Sequence, residues 1–358
     1  MANNLFTYAT KELSQDAFIC WLCSFALESE KCEGGDDALR ECALKLLSEF
    51  VGADEKNDIK LLKISRQYKN IDVLLHIKHR DENKEIIVED KVHSSEHDDQ
   101  LQRYKKELSN EYAPENIICV YYKTGFQSDY SKLKAAGYKI FDRKRILDLL
   151  GQYIDNINNN IFRDYYSYWK NYDNIASSYK TTKLNEWNEG SQVNSFYDEM
   201  QGIISERDDC WAGYGWVNNR GGGFWGFWYG INDAGIVRTD KCLAALYLQL
   251  EISWNYDTKR YDMNLCLKLE TKDEEDKKED ENKKEEKDKK IRELRDDIIN
   301  LMDSYGFDKP SRKGFGKTMT VGVYKIECET DEELKEILVQ ALDERLVKII
   351  CNTKNSTI

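Results

Sequence analysis

The chain has few prolines and no long apolar run, and each shortage limits what it can be. Only two prolines, Pro114 and Pro310, occur among its 358 residues, so long helices and strands can form with little interruption. No apolar run approaches the roughly 20 residues that span a bilayer, and we therefore expect no membrane association. The first residues, MANNLFTYATKEL, lack a basic segment followed by an apolar one, so we expect no secretory signal and a cytoplasmic protein.

Positive charge is also scarce. Lysine and arginine number 53 against 66 acidic residues, which gives a net charge of −13. Proteins that coat nucleic acid are usually basic, so the composition argues against that class. Any binding of nucleic acid would then depend on a few well-placed basic side chains and on a divalent cation that neutralises charge locally.

The ten cysteines do not form a recognisable framework. They are scattered, and most lie inside apolar runs, which predicts buried thiols in a reducing compartment rather than disulfides. Cys20 and Cys23 have the C-x-x-C spacing, but no second pair completes a zinc or redox site.

One stretch, residues 70–104, carries an ordered set of polar residues. Its sequence, NIDVLLHIKHRDENKEIIVEDKVHSSEHDDQLQRY, predicts a strand, a turn, a second strand and a helix. The set follows the spacings D-x16-E-x-K and Q-x3-Y: Asp72, Glu89, Lys91, Gln100 and Tyr104. Since residues four apart are neighbours on a helix, the last two members should lie side by side.

The two strands predict a hairpin with one polar and one apolar face. A turn centred between residues 81 and 82 would set Asp72 opposite Lys91, and alternation would put Glu89 on the same face. The other face would be apolar: Ile71, Val73, Leu75, Ile77, Ile86, Val88 and Val92. Asp90 falls among these apolar residues, so it must find a buried partner or lie at the rim.

This arrangement predicts a metal-dependent nuclease. Phosphodiester hydrolysis requires neutralised charge, an activated water and a stabilised leaving oxygen, and Mg²⁺ held by two carboxylates can supply much of this. Asp72 and Glu89 are the candidate pair. Lys91 could orient or deprotonate the water and face the phosphate, while Gln100 and Tyr104 could contact the metal's water shell or the neighbouring phosphate.

The same residues resemble the PD-(D/E)XK nuclease superfamily over residues 5–150. Asp72 and Glu89-Asp90-Lys91 match its D and E-x-K motifs, and Gln100-Leu-Gln-Arg-Tyr104 resembles the Q-x-x-x-Y motif of its RecB-like branch. In TKELSQDAFICWL, Glu12 resembles the glutamate found on the first helix of many members.

The resemblance implies a three-layer restriction-endonuclease-like core and dependence on Mg²⁺ or Mn²⁺. It implies metal ligation by Asp72, by Glu89 and by the main-chain carbonyl of Asp90. Glu12 is either a further ligand or a solvated first-turn acid that the helix dipole favours. Asp90 departs from the pattern, since an apolar or small residue is expected between the Glu and the Lys.

The sequence predicts two domains. Residues 1–180 give the order α-α-β-β-β-α-β-α-β-α-α, which predicts an α/β layered domain with a mixed sheet. In detail, a first helix over residues 10–30 would be capped by Thr10 and would carry Leu13, Ala17, Trp21 and Phe25 on one face. Phe18, Ile19 and Leu22 make this helix apolar over most of its circumference, so we expect it to be well buried. Residues 181–358 predict an α+β, mostly antiparallel domain for substrate recognition or regulation. Its segment 272–290, almost wholly Asp, Glu and Lys, should be a solvated helix or a mobile insert.

An aromatic block, residues 211–229, has two interpretations. Aromatic residues favour strands, so the block could form the core of a sheet. It could instead be a stacking surface for bases or a docking face for a partner. In either case Arg220, on the predicted turn, is a candidate contact with substrate.

Two further residues are candidates for substrate binding. His93 follows Lys91 closely and could approach the scissile phosphate. Lys317 lies in SRKGFGKT, residues 311–318, which resembles a P-loop but lacks the first glycine and precedes a strand, so we exclude nucleotide binding there. Its basic character leaves a contact with a phosphate backbone.

The sequence therefore predicts a Mg²⁺-dependent endonuclease that acts on DNA rather than RNA, as a homodimer if it cuts both strands. A bacterial anti-phage role is an inference from the resemblance. Two alternatives stay open: an RNase, and an inactive protein of the same fold that binds partner proteins.

Overall fold

The computed structural model divides the chain into two compact units, residues 1–174 and 175–358. The first unit ends six residues before the boundary predicted at residue 180. The structure describes the following residues: 3–28, 37–53, 58–92, 94, 100–219, 222–232, 236–238, 243–272 and 281–356.

A mixed five-stranded sheet forms the centre of the first unit. Its strands are β1 (Ile59–Tyr68), β2 (Ile71–His79), β3 (Glu82–Lys91), β4 (Ile117–Lys123) and β5 (Tyr138–Asp142). They lie side by side in chain order. The pairs β1–β2 and β2–β3 are antiparallel, while β3–β4 and β4–β5 are parallel. The central strand β3 is therefore buried between an antiparallel and a parallel neighbour.

Helices cover both faces of this sheet. In chain order they are α1 (Glu12–Ser24), α2 (Asp37–Val51), α3 (Gln100–Leu108), α4 (Ser131–Ala135), α5 (Arg143–Gly151) and α6 (Asn160–Ser177). The larger core lies between the sheet and α1, α2, α5 and α6. The smaller core lies on the other face, under α3 and α4. The predicted element order and the three-layer architecture are both confirmed.

The hairpin of β2 and β3 has the predicted faces but a different register. Val73 pairs with Val88 and His79 with Glu82, so the turn is centred between residues 80 and 81. The predicted register was wrong by two residues, because Arg80 adopts a left-handed backbone (φ 54°) and closes a two-residue turn. A shift of two preserves which face each side chain occupies.

The apolar face of the hairpin is confirmed with one exception. Six of the seven predicted residues belong to the larger core: Val73, Leu75, Ile77, Ile86, Val88 and Val92. Ile71 instead packs in the smaller core with Leu74 and Ile87. Both faces of the hairpin are thus apolar along the middle of the strands. Polar residues lie at the turn end and at the opposite end, which carries Asp72, Glu89, Asp90 and Lys91.

The first helix presents a different face from the one predicted. It begins at Glu12, and its N-cap residue is Lys11, which makes no side-chain capping bond, so Thr10 is not the cap. Leu13 is 58% exposed, whereas Gln15 and Asp16 are buried. The buried side of α1 also carries Phe18, Ile19, Leu22 and Cys23. The helix therefore buries this second apolar stripe, and Gln15 at its N-terminal end reaches Asp90 and Thr124.

The second unit contains an antiparallel sheet with helices. Its described strands are β6 (Cys210–Val217), β7 (Phe224–Ile231), β8 (Ile236–Arg238), β9 (Leu243–Asn255), β10 (Arg260–Lys272) and β11 (Thr318–Lys325). The pairing order is β11-β10-β9-β7-β6, and β8 pairs with β9. Its main helices are α7 (Gly190–Ser205), α8 (Glu281–Leu301), α9 (Asp331–Gln340) and α10 (Val347–Ser356). The predicted α+β antiparallel architecture is confirmed.

Three sequence features of this unit have structural outcomes. The second half of the charged segment is helical, since α8 begins at Glu281, while residues 273–280 lie outside the described part. In the aromatic block, Tyr214 and Phe227 pack against Tyr197 of α7, as expected of a sheet core. Trp216 is 48% exposed, and Arg220 lies outside the described residues.

Two predictions about the whole chain can be compared with the structure. Among the described residues, none of the helices combines the length and apolar character needed to cross a bilayer. The eight cysteines in the described part are all unpaired. Five of these thiols are buried, as their apolar neighbours in sequence predicted.

Candidate active site

Three of the predicted residues meet at one end of the β2–β3 hairpin. Lys91 Nζ lies 2.6 Å from Glu89 Oε1 and 3.9 Å from Asp72 Oδ2. The main-chain N–H of Asp90 donates to Asp72 Oδ2 at 3.1 Å. These contacts arise because β2 begins where β3 ends, so the first carboxylate of one strand faces the last residues of the other.

The site is largely shielded from solvent. The side chain of Glu89 is 1% exposed, that of Lys91 10% and that of Asp72 20%. Burial of an ionised group is costly unless it is paired, so these groups depend on one another and on any cation that joins them. Only Asp72 presents an appreciable part of its carboxylate to an incoming ligand.

The pKa values follow from burial and from the neighbouring charges. Burial, reinforced by the charge of Asp72, raises the pKa of Glu89 to about 7, although Lys91 opposes the shift. Burial also raises the pKa of Asp72, against the hydrogen bond from the Asp90 N–H. For Lys91, burial lowers the pKa, but the charges of Glu89 and Asp72 outweigh it and the net shift is upward. Lys91 therefore stays protonated near neutral pH.

The side chain of Asp90 is completely buried and has a partner. It accepts a hydrogen bond from Gln15 Nε2 on α1, which answers the question that its place on the apolar face raised. Burial raises the pKa of Asp90 far above its usual range. Burial, together with the charge of Asp72, raises the pKa of the neighbouring Asp16 to about 6. Burial thus favours the protonated form of the residue between Glu89 and Lys91.

Gln15 connects this carboxyl to the rest of the larger core. Its Oε1 accepts hydrogen bonds from Thr124 Oγ1 at 2.9 Å and from Tyr165 Oη at 3.1 Å. Tyr165 stacks on Phe18, with ring centroids 3.6 Å apart and an interplanar angle of 7°. One buried amide therefore links α1, the end of β3, the end of β4 and α6.

The segment that leaves β3 is held by two charged side chains. Glu12 Oε1 accepts from the Val92 N–H at 3.2 Å and from Ser94 Oγ at 2.6 Å. Lys123 Nζ donates to the Val92 carbonyl at 3.0 Å and to the Ser94 carbonyl at 2.6 Å. Both side chains act on the main chain directly after Lys91.

A family model described as the PD-(D/E)XK nuclease superfamily matches residues 4–206, more than half of the chain. The chain belongs to the PD-(D/E)XK nuclease superfamily. The match extends beyond the predicted residues 5–150 and ends one residue after α7, within the second unit. No curated protein and no solved structure matches the chain. The RecB-like branch stays a prediction.

Membership of the PD-(D/E)XK superfamily implies a nuclease, and the donor atoms suit a divalent metal. Glu89 Oε2 is buried and has no hydrogen-bond partner among the described residues. This oxygen, the Asp72 carboxylate and the Asp90 carbonyl are hard oxygen donors, which Mg²⁺ prefers. The described residues contain no group of three His, Cys, Asp or Glu side chains arranged to hold a metal. The remaining ligands would therefore come from the main chain and from water, as Mg²⁺ commonly allows.

The other predicted site residues stand apart from this cluster or outside the described residues. Tyr104 is 5% exposed and packs in the smaller core. Gln100 begins α3, but its side chain is outside the described part, so the catalytic role predicted for the two residues remains a prediction. His93 also lies outside it. Lys317 is exposed in the second unit, where its carbonyl accepts from the Thr271 N–H at 2.8 Å.

Sequence reasoning missed the buried polar residues beneath the site. Gln15 and Asp16 follow Glu12 at the helical spacings i+3 and i+4, which places all three on one side of α1. Lys123 ends the apolar run of residues 116–123, which predicts a strand covered on both faces. Two signals for these buried polar residues were available. One was a lysine at the end of such a strand, and the other was the polar residues on the same side of α1 as Glu12.

Proposed function

We propose that this nuclease is a Mg²⁺- or Mn²⁺-dependent deoxyribonuclease that cuts within the chain of its substrate. The observation that carries the proposal is the cluster of Asp72, Glu89 and Lys91, together with the unpartnered Glu89 Oε2. A complete cluster argues against an inactive protein of the same fold, because two buried carboxylates with raised pKa values would be an unfavourable arrangement to retain without a cation to bind.

Asp72, Glu89 and the Asp90 carbonyl would hold the metal. The ion, when bound, supplies positive charge for the phosphate oxygens and lowers the pKa of a bound water. Asp90 positions its own carbonyl, since its N–H is bound to Asp72 and its carboxyl to Gln15. The donor set thereby includes one main-chain atom that is fixed from two sides.

Lys91 would orient the attacking water and face the scissile phosphate. Its raised pKa favours the ammonium form at neutral pH, so it serves as a hydrogen-bond donor and a positive charge rather than as a base. Charge-assisted hydrogen bonds to phosphate oxygens are among the stronger polar interactions. The upward pKa shift of Lys91 supports the orienting role over deprotonation of the water, the other role that the sequence left open.

A supercoiled plasmid incubated with Mg²⁺, Mn²⁺ or EDTA tests the activity, because a closed circle has no ends and yields only to an endonuclease. We expect metal-dependent nicking or linearisation. Lys91→Ala should slow it by at least about a hundredfold, as expected when a transition-state contact is lost. Lys132→Ala, at an exposed lysine of α4, is the matched control and should cut like the wild type.

The substrate class and the biological role are part of the same proposal. Single-stranded DNA and RNA in parallel reactions decide the substrate, and cleavage of RNA alone would replace the deoxyribonuclease with an RNase. If the wild type cuts none of these and shows no Mn²⁺ binding by calorimetry, the nuclease proposal fails. An anti-phage role predicts fewer phage plaques on bacteria that express the wild type than on those that express Lys91→Ala.

The homodimer is a separate part of the proposal. Cutting both strands of a duplex at one place favours two active sites that act together. Light scattering on the purified protein with and without duplex DNA tests this, and a mass of about 42 kDa under both conditions would exclude the dimer.

A further inference from the structure

The end of β3, next to Lys91, pairs with a neighbouring strand on one side only. Pairing between β2 and β3 ends at Val73 and Val88, whereas pairing between β3 and β4 continues to Lys91 and Lys123. On the side of β2, the last residues of β3 therefore have no continuing ladder. Another structure must fix the direction in which Lys91 points.

Glu12 and Lys123 provide this fixation from two sides. The carboxylate takes the N–H of Val92 and the hydroxyl of Ser94, and the ammonium takes the carbonyls of the same two residues. Each backbone polar group of Val92 is thus bound to a charged side chain. Hydrogen bonds with one charged partner are roughly twice as strong as neutral ones.

Burying the ammonium group of Lys123 costs free energy, so its use here indicates that the position of the segment it binds matters. Its side chain is fully buried, and burial lowers its pKa to about 8 against the opposing charges of Glu12 and Asp90. Both hydrogen-bond acceptors shown for it are neutral carbonyls. A buried ammonium that contributes little through ion pairing is consistent with a role in fixing those carbonyls.

The end of β4 closes on the same segment. A Cβ placed on Gly125 would lie 2.0 Å from the Val92 carbonyl oxygen, so only glycine fits there without a shift of the backbone. The Thr124 N–H donates to the Lys91 carbonyl at 3.3 Å. Contact with the chain after Lys91 therefore continues over three successive residues of the β4 end, beginning at Lys123.

We propose that Glu12 and Lys123 are positioning residues that clamp Val92 and Ser94 and so aim Lys91, and that Glu12 is not a metal ligand. The proposal rests on the proposed function, because the role of Lys91 is assigned there. Glu12 Oε1 already accepts two hydrogen bonds, which uses both lone pairs of that oxygen. Its hydrogen-bond partners are the Val92 N–H and the Ser94 hydroxyl, directly after β3. Within the described residues, no hydrogen bond or ion pair joins Glu12 to Asp72 or Glu89.

Two substitutions of Glu12 separate positioning from metal binding. Glu12→Gln keeps an acceptor oxygen for Val92 and Ser94 but removes the charge, while Glu12→Ala removes both. We expect Glu12→Ala to lower kcat about ten- to a hundredfold, the range seen when a supporting contact is lost, with KM and the Mn²⁺ dissociation constant nearly unchanged. Glu12→Gln should recover at least about a third of wild-type kcat. Leu13→Ala, at the exposed neighbouring residue, is the control.

Lys123→Met tests the other half of the clamp. It keeps an unbranched apolar side chain but removes both hydrogen bonds, and we expect a loss in kcat of at least about tenfold. Lys139→Met is the matched control, because Lys139 Nζ also donates to two main-chain carbonyls, those of Phe50 and Val51, at the end of α2. If Lys123→Met fails to fold by circular dichroism, Ser94→Ala tests the clamp from the Glu12 side, since it removes the hydrogen bond from Ser94 Oγ to Glu12 Oε1 and leaves both Lys123 contacts in place.

The outcomes distinguish the clamp from the nuclease proposal. If wild-type protein neither cuts nor binds Mn²⁺, the proposed function fails. If the wild type does both, but Glu12→Gln and Glu12→Ala weaken Mn²⁺ binding equally by tenfold or more, Glu12 is a ligand and the clamp proposal is wrong. Wild-type kcat in folded Lys123→Met, or in Ser94→Ala where that variant decides, would also overturn it.

Discussion

Gln15 donates a hydrogen bond from Nε2 to the carboxyl of Asp90, a residue 75 positions further along the chain. The acceptor is the residue between Glu89 and Lys91, whose own main chain faces the proposed metal. A side chain on α1 therefore fixes the middle of the E-x-K motif from beneath the sheet. An acidic residue is compatible with this apolar face because burial favours its protonated form and because its amide partner is buried with it.

Removing the amide of Gln15 should destabilise the first unit. Gln15→Met leaves the buried Asp90 carboxyl, Thr124 and Tyr165 without their shared partner, and an unsatisfied buried polar group costs about 1–3 kcal/mol. Urea denaturation in EDTA measures the loss. Adding Asp90→Leu should recover part of it, since replacing both partners with apolar groups is less costly than removing one. Equal stability of the wild type and Gln15→Met would contradict the prediction.

The metal-free protein should lose stability as the pH rises from about 4.5 to about 7. The folded pKa of Glu89 is about 7 and its ordinary value is 4.5, so in this window the folded state binds more protons than the unfolded state and stability falls with pH. The shift corresponds to about 3 kcal/mol at most. Urea midpoints at several pH values in EDTA measure the slope. The slope should be smaller in Glu89→Gln. An unchanged slope would contradict the raised pKa assigned to Glu89.

Two glycine-to-alanine changes should have opposite effects. Gly125→Ala places a methyl group 2.0 Å from the Val92 carbonyl oxygen, so the end of β4 must move and the first unit should melt at a lower temperature. Gly202→Ala, within α7, meets nothing within 4 Å and should be neutral or stabilise by up to about 1 kcal/mol, as helix propensity predicts. Thermal unfolding of both variants is the measurement. Equal melting temperatures would mean that the close approach to Val92 is absent.

Acid should weaken the second unit through Glu199 on α7. Burial alone would raise the pKa of Glu199. Hydrogen bonds from Lys180, Lys335 and Tyr179 outweigh this effect and lower the pKa to about 2. The stabilisation is therefore present above the ordinary value of 4.5 and is lost as the pH falls toward 2. Glu199→Gln should reduce this acid sensitivity and lower stability at pH 7. Glu206→Gln, at the exposed end of the same helix, is the control and should match the wild type at both pH values.

The sequence predicted the layers and the strand faces because those depend on periodicity alone. Alternation in β2 and β3 survives an error of two residues in register, so Asp72, Glu89 and Lys91 were grouped correctly although the turn was misplaced. The turn itself depends on one backbone conformation, that of Arg80, which no pattern of apolar residues specifies. The apolar pattern alone was therefore insufficient to place this turn.

The buried polar residues could not be predicted for a different reason. Gln15, Lys123 and Tyr165 have partners that are far away in sequence, and their value depends on atoms that only the folded core brings close. The buried side of α1 could not be chosen because the helix is apolar over most of its circumference, and apolar content marks the buried side only when one stripe dominates. Leu13 faces solvent, and the buried stripe is the one that also carries Gln15 and Asp16.

The sequence separations in this network have a consequence for synthesis of the chain. Asp72, Glu89 and Lys91 lie on one hairpin, and such local elements form within microseconds. Tyr165, which closes the bond to Gln15, lies 150 residues further along the chain and emerges from the ribosome last, at rates of about 5–20 residues per second. A nascent chain that stops short of α6 would display Asp72, Glu89 and Lys91 without the support beneath Asp90. We therefore expect cutting to begin only after the first unit has been translated in full.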